Sequence, residues 1–144
     1  MNKQFIIDRI NYFVDSMGFR DPVEYKPLYS NIRFVRLIVS KLHTKNNQPQ
    51  KYRFIIQLNQ EILTEYYNAD PTLTNKVLDY SITHELAHGF QVYEYGFKTI
   101  LPKFMLEEKA DAIAFKTCNI SEQEIREIIN KLNNKVGRII IKCL

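Results

Sequence analysis

The stretch YSITHELAHGFQ, Tyr80–Gln91, decides how this chain is read. It lies inside a longer segment that begins at Asp70-Pro71 and stops before Gly96. Aspartate caps a helix N-terminus and proline is tolerated at the first helical position, so the segment predicts one helix to about Tyr93. On a helix, residues four apart such as His84 and His88 lie only about 40° apart around the axis. Two imidazoles so placed can reach one cation. Glu85 is offset by one residue, beside that cation rather than on it, where a carboxylate can hold and deprotonate a water. Ile82, Leu86, Phe90 and Tyr93 fall on the side away from the histidines. They predict a core-facing stripe that leaves the histidine face to line a cleft. Gly89 predicts the close approach of another backbone segment.

An H-E-x-x-H pattern arises from this composition in roughly four chains per thousand, so it needs a third ligand before it carries weight. One stands downstream in MLEEKADAIAF, Met105–Phe115. Pro102 predicts the start of a helix over residues 103–118. There Glu107 and Asp111 are four apart and share a face. Glu107 offers a carboxylate oxygen to a metal, and Asp111 offers an acceptor for the second nitrogen of a ligand imidazole. Ala110 and Ala114 lie near that face, and their small side chains let two helices approach. Glu108 is the rival third ligand, but it sits about 100° around the helix and loses the partnership with Asp111. Two histidines, one glutamate and an open position form a known catalytic zinc set.

H-E-L-A-H, followed 19 residues after its second histidine by E-E-K-A-D-A-I-A, resembles the gluzincin metallopeptidases. Their second motif is commonly E-x-x-A-D or E-x-x-A-N with a further alanine, and Glu107, Ala110, Asp111 and Ala114 fill it. A short chain of this kind is similar to the ImmA/IrrE-like peptidases and to the minigluzincins. The resemblance covers residues 80–115 and extends to a strand before the active-site helix, here Tyr52–Leu58. It implies a zincin-like zinc endopeptidase in which His84, His88 and Glu107 hold Zn2+ and Glu85 is the general base. It implies Asp111 as support for a ligand, and a protein or peptide substrate paired along Tyr52–Leu58. The chain departs from the pattern at Ala87, where glycine is common, and lacks the histidines that often follow the motif in ImmA/IrrE-like members. In minigluzincins a terminal segment blocks the cleft. The apolar tail Arg138–Leu144 is therefore expected either to pair with Tyr52–Leu58 or to pack as ordinary core.

The remaining chain fits one domain, residues 1–144. Its 45% hydrophobic content, with nine Tyr and nine Phe, is enough for a packed interior. Residues 3–17 predict an amphipathic helix with Phe5, Ile6, Ile10, Phe13 and Met17 on one side. Residues 19–30 hold two prolines and predict a loop. Ile32–Leu42 and Tyr52–Leu58 predict strands joined by the polar TKNNQPQ, either a hairpin or neighbours in a small antiparallel sheet. Glu61–Tyr67 is ambiguous, with a short helix one option. Ser121 and Glu124 have capping-box spacing and start a helix ending near Gly137. The fold class is α+β: a small antiparallel sheet or hairpin packed on the active-site helix, plus two or three further helices.

The chain has no run of 18 apolar residues, and Asp8, Arg9 and Asp15 interrupt its N-terminus, which predicts a cytoplasmic protein with no membrane partner. Cys118 and Cys143 form no paired-cysteine motif and read as free thiols in a reducing compartment. The net charge is +4, yet residues 25–60 carry seven basic side chains and no acid. Such a segment is either the solvated face of a hairpin or a surface for an acidic partner or nucleic acid. Two alternatives to a peptidase follow. One is a catalytically silent zinc-containing regulatory module, against which the retained Glu85 argues. The other is a DNA-associated protein using the basic segment. His43 reads as an exposed loop residue, and Tyr66, Tyr67, Tyr93 and Tyr95 remain open as donors to a developing oxyanion.

Overall fold

Tyr52–Leu58 reads YRFIIQL, and all but Arg53 and Gln57 are buried, the burial of a strand held between neighbours. In the computed structural model, which describes residues 1–96 and 101–138, it is the central strand of three. These are β1 (Val23–Pro27), β2 (Val35–Lys41) and β3 (Tyr52–Leu58), in the order β1-β3-β2. β2 runs antiparallel to β3, with Val35 opposite Leu58 and Lys41 opposite Tyr52. β1 runs parallel to β3, with Val23 opposite Phe54 and Pro27 opposite Leu58.

The sheet is therefore mixed, not antiparallel throughout, and residues 19–30 are not a loop from end to end. The prolines mislead there. Pro22 precedes β1 and Pro27 is its last residue, positions where a missing N–H removes no central ladder bond. Val23 and Tyr25 between them alternate into the core.

Because β3 is paired on both sides, it is not the edge expected to receive an extended substrate; among the described residues β2 is an edge instead. From residue 139 onward the C-terminal tail lies outside the described residues, as does Cys143. Arg138 binds Glu61 at 2.9 Å and also Glu65.

The described residues form five helices: α1 (Lys3–Ser16), α2 (Gln60–Ala69), α3 (Pro71–Tyr95), α4 (Lys103–Cys118) and α5 (Glu122–Val136); α1 and α3 pack on the sheet, and α4 and α5 pack on α3. This is one more than the upper end of the three or four expected, because Gln60–Ala69 does form a helix, capped by the Asn59 side chain. Asp70 caps α3 by accepting from the Leu73 N–H at 3.1 Å, and Pro71 follows it. Ser121 caps α5 in the same way through Glu124. α1 buries Ile6, Ile10 and Phe13, and its Arg9 makes a two-pronged bond to Asp79 of α3 at 2.7 and 2.9 Å.

α3 carries the site because it runs through the middle of the molecule. Residues 80–87 are all buried, a pattern that only a helix covered on every side shows. Ile82 and Leu86 belong to the same core as Phe54, Ile56 and Leu58 of β3. Burying each such side chain contributes about 1.5–3 kcal/mol. α4 makes the most extensive contact with α3, and its Ala110 and Ala114, like Ala87 of α3, are fully buried. Gly89 is needed for a side chain rather than a backbone: a Cβ there would stand 2.6 Å from the ring of Phe19. Among the described residues no helix is long and apolar enough to cross a membrane.

Candidate metal centre

Buried midway along α3, His84 turns its ring toward α4, and His88 follows one turn later. His84 Nε2 lies 3.1 Å from His88 Nε2 and 3.1 Å from Glu107 Oε2. His88 Nε2 lies 3.3 Å from Glu107 Oε1. The ligand atoms of His84, His88 and Glu107 all fall within 4.8 Å of one another. A tetrahedral ion with bonds of about 2.0 Å holds its donors roughly 3.3 Å apart. The two imidazole nitrogens stand near that spacing, and so does each Glu107 oxygen from the ring it faces, a donor set of the kind that can hold a metal ion. Glu108, by contrast, is exposed and is not among the residues whose ligand atoms converge.

Glu85 is 8% exposed. Burial pushes its carboxyl above the usual carboxylate range, against the pull of the His84 and His88 charges. The positive charge of Arg33, just upstream of β2, also acts on it. Burial works against a charged His84, but the carboxylates of Asp111 and Glu107 outweigh it and push the imidazole up to about 9. His88 is raised as well: burial opposes its charge, and Glu107 and Gln91 overcome it. Glu107 is correspondingly held well below the carboxylate range by the two imidazoles.

Asp111 sits behind the first histidine. Its Oδ1 is 2.8 Å from His84 Nδ1, but off the line of a ring N–H, so the contact is electrostatic more than a well-aligned hydrogen bond. Burial raises the Asp111 carboxyl, but His84 and Tyr80 outweigh that and leave it lowered. Two further residues complete the arrangement, and neither was identified from the sequence. Tyr80 donates its O–H to Asp111 Oδ1 at 2.5 Å, and its ring stacks on Phe115. Gln91 Oε1 is 2.8 Å from His88 Nδ1, and Gln91 Nε2 donates to the Leu106 carbonyl at 2.8 Å. The signal for both was helical spacing: Tyr80 is four residues before His84, and Gln91 is three after His88.

A cleft of about 310 Å³ opens beside these groups. Leu37 and Val39 of β2 form one wall, and Glu85, His88, Val92 and Tyr95 of α3 form another. Leu106 and Glu107 of α4 close it. Of the four tyrosines left open, Tyr95 is at this cleft, where its O–H accepts from Lys109 at 3.2 Å. Tyr66 is bonded to Asn133 and Tyr93 to Asp21. His43 is exposed between β2 and β3. In the basic segment, Arg53 is paired with Glu24, and Arg36 donates to Gln57.

No family model matches the chain, and no curated protein or solved structure matches it significantly.

Proposed function

We propose that this chain is a zinc-dependent endopeptidase of the gluzincin type with a zincin-like fold. His84, His88 and Glu107 hold the ion, and Glu85 is the general base. The observation that carries this reading is the convergence of His84, His88 and Glu107, one donor atom from each lying within 4.8 Å of the others, beside a buried carboxylate. A purely structural metal site has no use for such a carboxylate.

A bound zinc ion supplies Lewis acidity and brings the pKa of its water toward neutrality. Glu85, whose carboxyl burial makes more basic, would accept the proton of the water whose oxygen bonds to the scissile carbonyl carbon, and would return it to the amine nitrogen as the C–N bond breaks. Asp111 and Gln91 face the outer nitrogens of the two histidines. The apolar wall of Leu37 and Val39 belongs to an edge strand, and an edge strand can take an extended chain by strand addition. A peptide substrate then lies along β2, not along β3.

The test is cleavage of an unfolded protein and a mixed peptide library by the zinc-loaded chain, read by mass spectrometry. Cleavage that a chelator abolishes, zinc restores and His84→Ala lacks supports the function. Wild-type protein that holds zinc yet produces no fragments overturns it.

A further inference from the structure

Gln91 makes two polar contacts, and together they fix which way its amide points. The Leu106 carbonyl can only accept, so the atom 2.8 Å from it must be the amide nitrogen, acting as donor. The amide oxygen is then the atom facing His88 Nδ1 at 2.8 Å, and an amide oxygen can only accept. His88 must therefore carry a proton on Nδ1. In the neutral ring this leaves the lone pair on Nε2, the atom 3.3 Å from Glu107 and 3.1 Å from His84 Nε2.

Leu106 is the residue before Glu107 in α4. One amide thus spans the gap between the two helices: it grips a ring on α3 and the backbone next to the carboxylate on α4. Gln91 is 9% exposed, so neither bond competes freely with water. A buried amide that loses either partner is left with an unsatisfied polar group, which holds the pair of bonds together.

We infer that Gln91 is a positioning residue for this site: it sets the tautomer of His88 so that Nε2 faces Glu107, and it ties that ring to the α4 backbone beside Glu107. The role deepens the metal-site reading and rests on it only for its consequence in zinc affinity; the tautomer is a property of the protein itself. Sequence spacing alone does not reveal this, because the bond to the Leu106 carbonyl exists only once α3 and α4 are packed.

The experiment uses the full chain as wild type, Gln91→Leu and Gln91→Glu, each checked for wild-type helicity and cooperative unfolding. Long-range proton–nitrogen NMR on the metal-free proteins, at a pH where the rings are neutral, reads the tautomer of His88. Wild type is expected in the Nδ1–H form. Gln91→Leu loses that bias. Gln91→Glu keeps it, because a carboxylate still accepts from Nδ1–H, although it no longer donates to Leu106. Competition of zinc against a chromogenic chelator then gives affinity, with Gln91→Leu weakened about 10–100-fold and Gln91→Glu by less. A wild-type His88 in the Nε2–H form overturns the inference whether or not zinc binds. So does a folded Gln91→Leu with the wild-type tautomer and zinc affinity within about twofold. If wild type holds no zinc while the tautomer follows Gln91, the metal reading fails and the positioning role stands.

Discussion

Tyr80 and Asp111 are 31 residues apart in the chain, yet the phenol O–H of one donates to Oδ1 of the other at 2.5 Å behind the His84 ring. The same carboxylate oxygen is 2.8 Å from His84 Nδ1. Two helices are thus joined by a hydrogen bond from Tyr80 to Asp111 and a close electrostatic contact from Asp111 to His84. Removing the hydroxyl in Tyr80→Phe leaves the ring stacked on Phe115 but takes one donor from Asp111. The expected loss is about 1.5–3 kcal/mol of stability, the range for a bond to a charged acceptor. Zinc affinity should fall by less than about tenfold, since the ligands themselves are untouched. Thermal unfolding and chelator competition measure both, and a variant indistinguishable from wild type in each would refute this link.

Glu85→Gln removes the proton acceptor and keeps the shape of the side chain. The expectation is full zinc binding, a wild-type fold and a turnover lower by roughly 10²–10⁴. Metal analysis beside a cleavage assay decides it. Retained turnover in the glutamine variant would assign the general base elsewhere.

The protonated His84 ties α3 to the carboxylates of α4, so the metal-free protein should show a pH-dependent stability. Its folded pKa, about 9, stands above the ordinary 6.5 of an unfolded chain. The stabilisation is then complete below about pH 6.5 and is lost as pH rises toward 9, on the order of 2 kcal/mol in all. Glu107 acts in the opposite sense: its lowered pKa contributes stability above the ordinary carboxylate value that disappears in acid. Chelator-treated protein should melt several degrees lower at pH 9 than at pH 6.5. The zinc-loaded protein should not follow this decline, because metal binding needs the rings neutral. A flat melting curve for the metal-free protein over that interval would contradict the pairing.

Gly89→Ala should destabilise the fold even though alanine is the better helix former by about 1 kcal/mol. The new methyl would meet Phe19 at 2.6 Å, and that ring is pinned by Phe54, Phe90 and Tyr93 at centroid distances of 4.9–5.3 Å. Overpacking of this kind costs about 1–3 kcal/mol, so after the helix-propensity gain the net loss is up to about 2 kcal/mol. Denaturant unfolding reads it, and Phe19→Leu in the same chain should recover part of the loss. A stabilised single variant would show that the ring yields freely.

Much of this molecule is local, and what is local was legible. Asp70-Pro71 and Gly96 bound α3, and Ser121 and Gly137 bound α5, because capping depends on residues within a turn of the helix end. The shared face of His84 and His88, and that of Glu107 and Asp111, follow from helical periodicity alone. What escaped is non-local. β1 hid between two prolines because its strand character comes from pairing with β3, about 30 residues away. The same pairing made Tyr52–Leu58 a central strand and passed the edge to β2, which no alternation within either segment could reveal.

The sequence by itself determined which side chains are available to a metal and on which helix face each stands, because the pitch of a helix is fixed by backbone geometry. Only the tertiary structure decided that the two faces meet, that Gln91 and Tyr80 hold the rings from behind, and that β2 forms a cleft wall. Those outcomes depend on how α3 buries itself between the sheet and α4, where the small residues Ala87, Ala110 and Ala114 are fully buried, and no single segment encodes that packing.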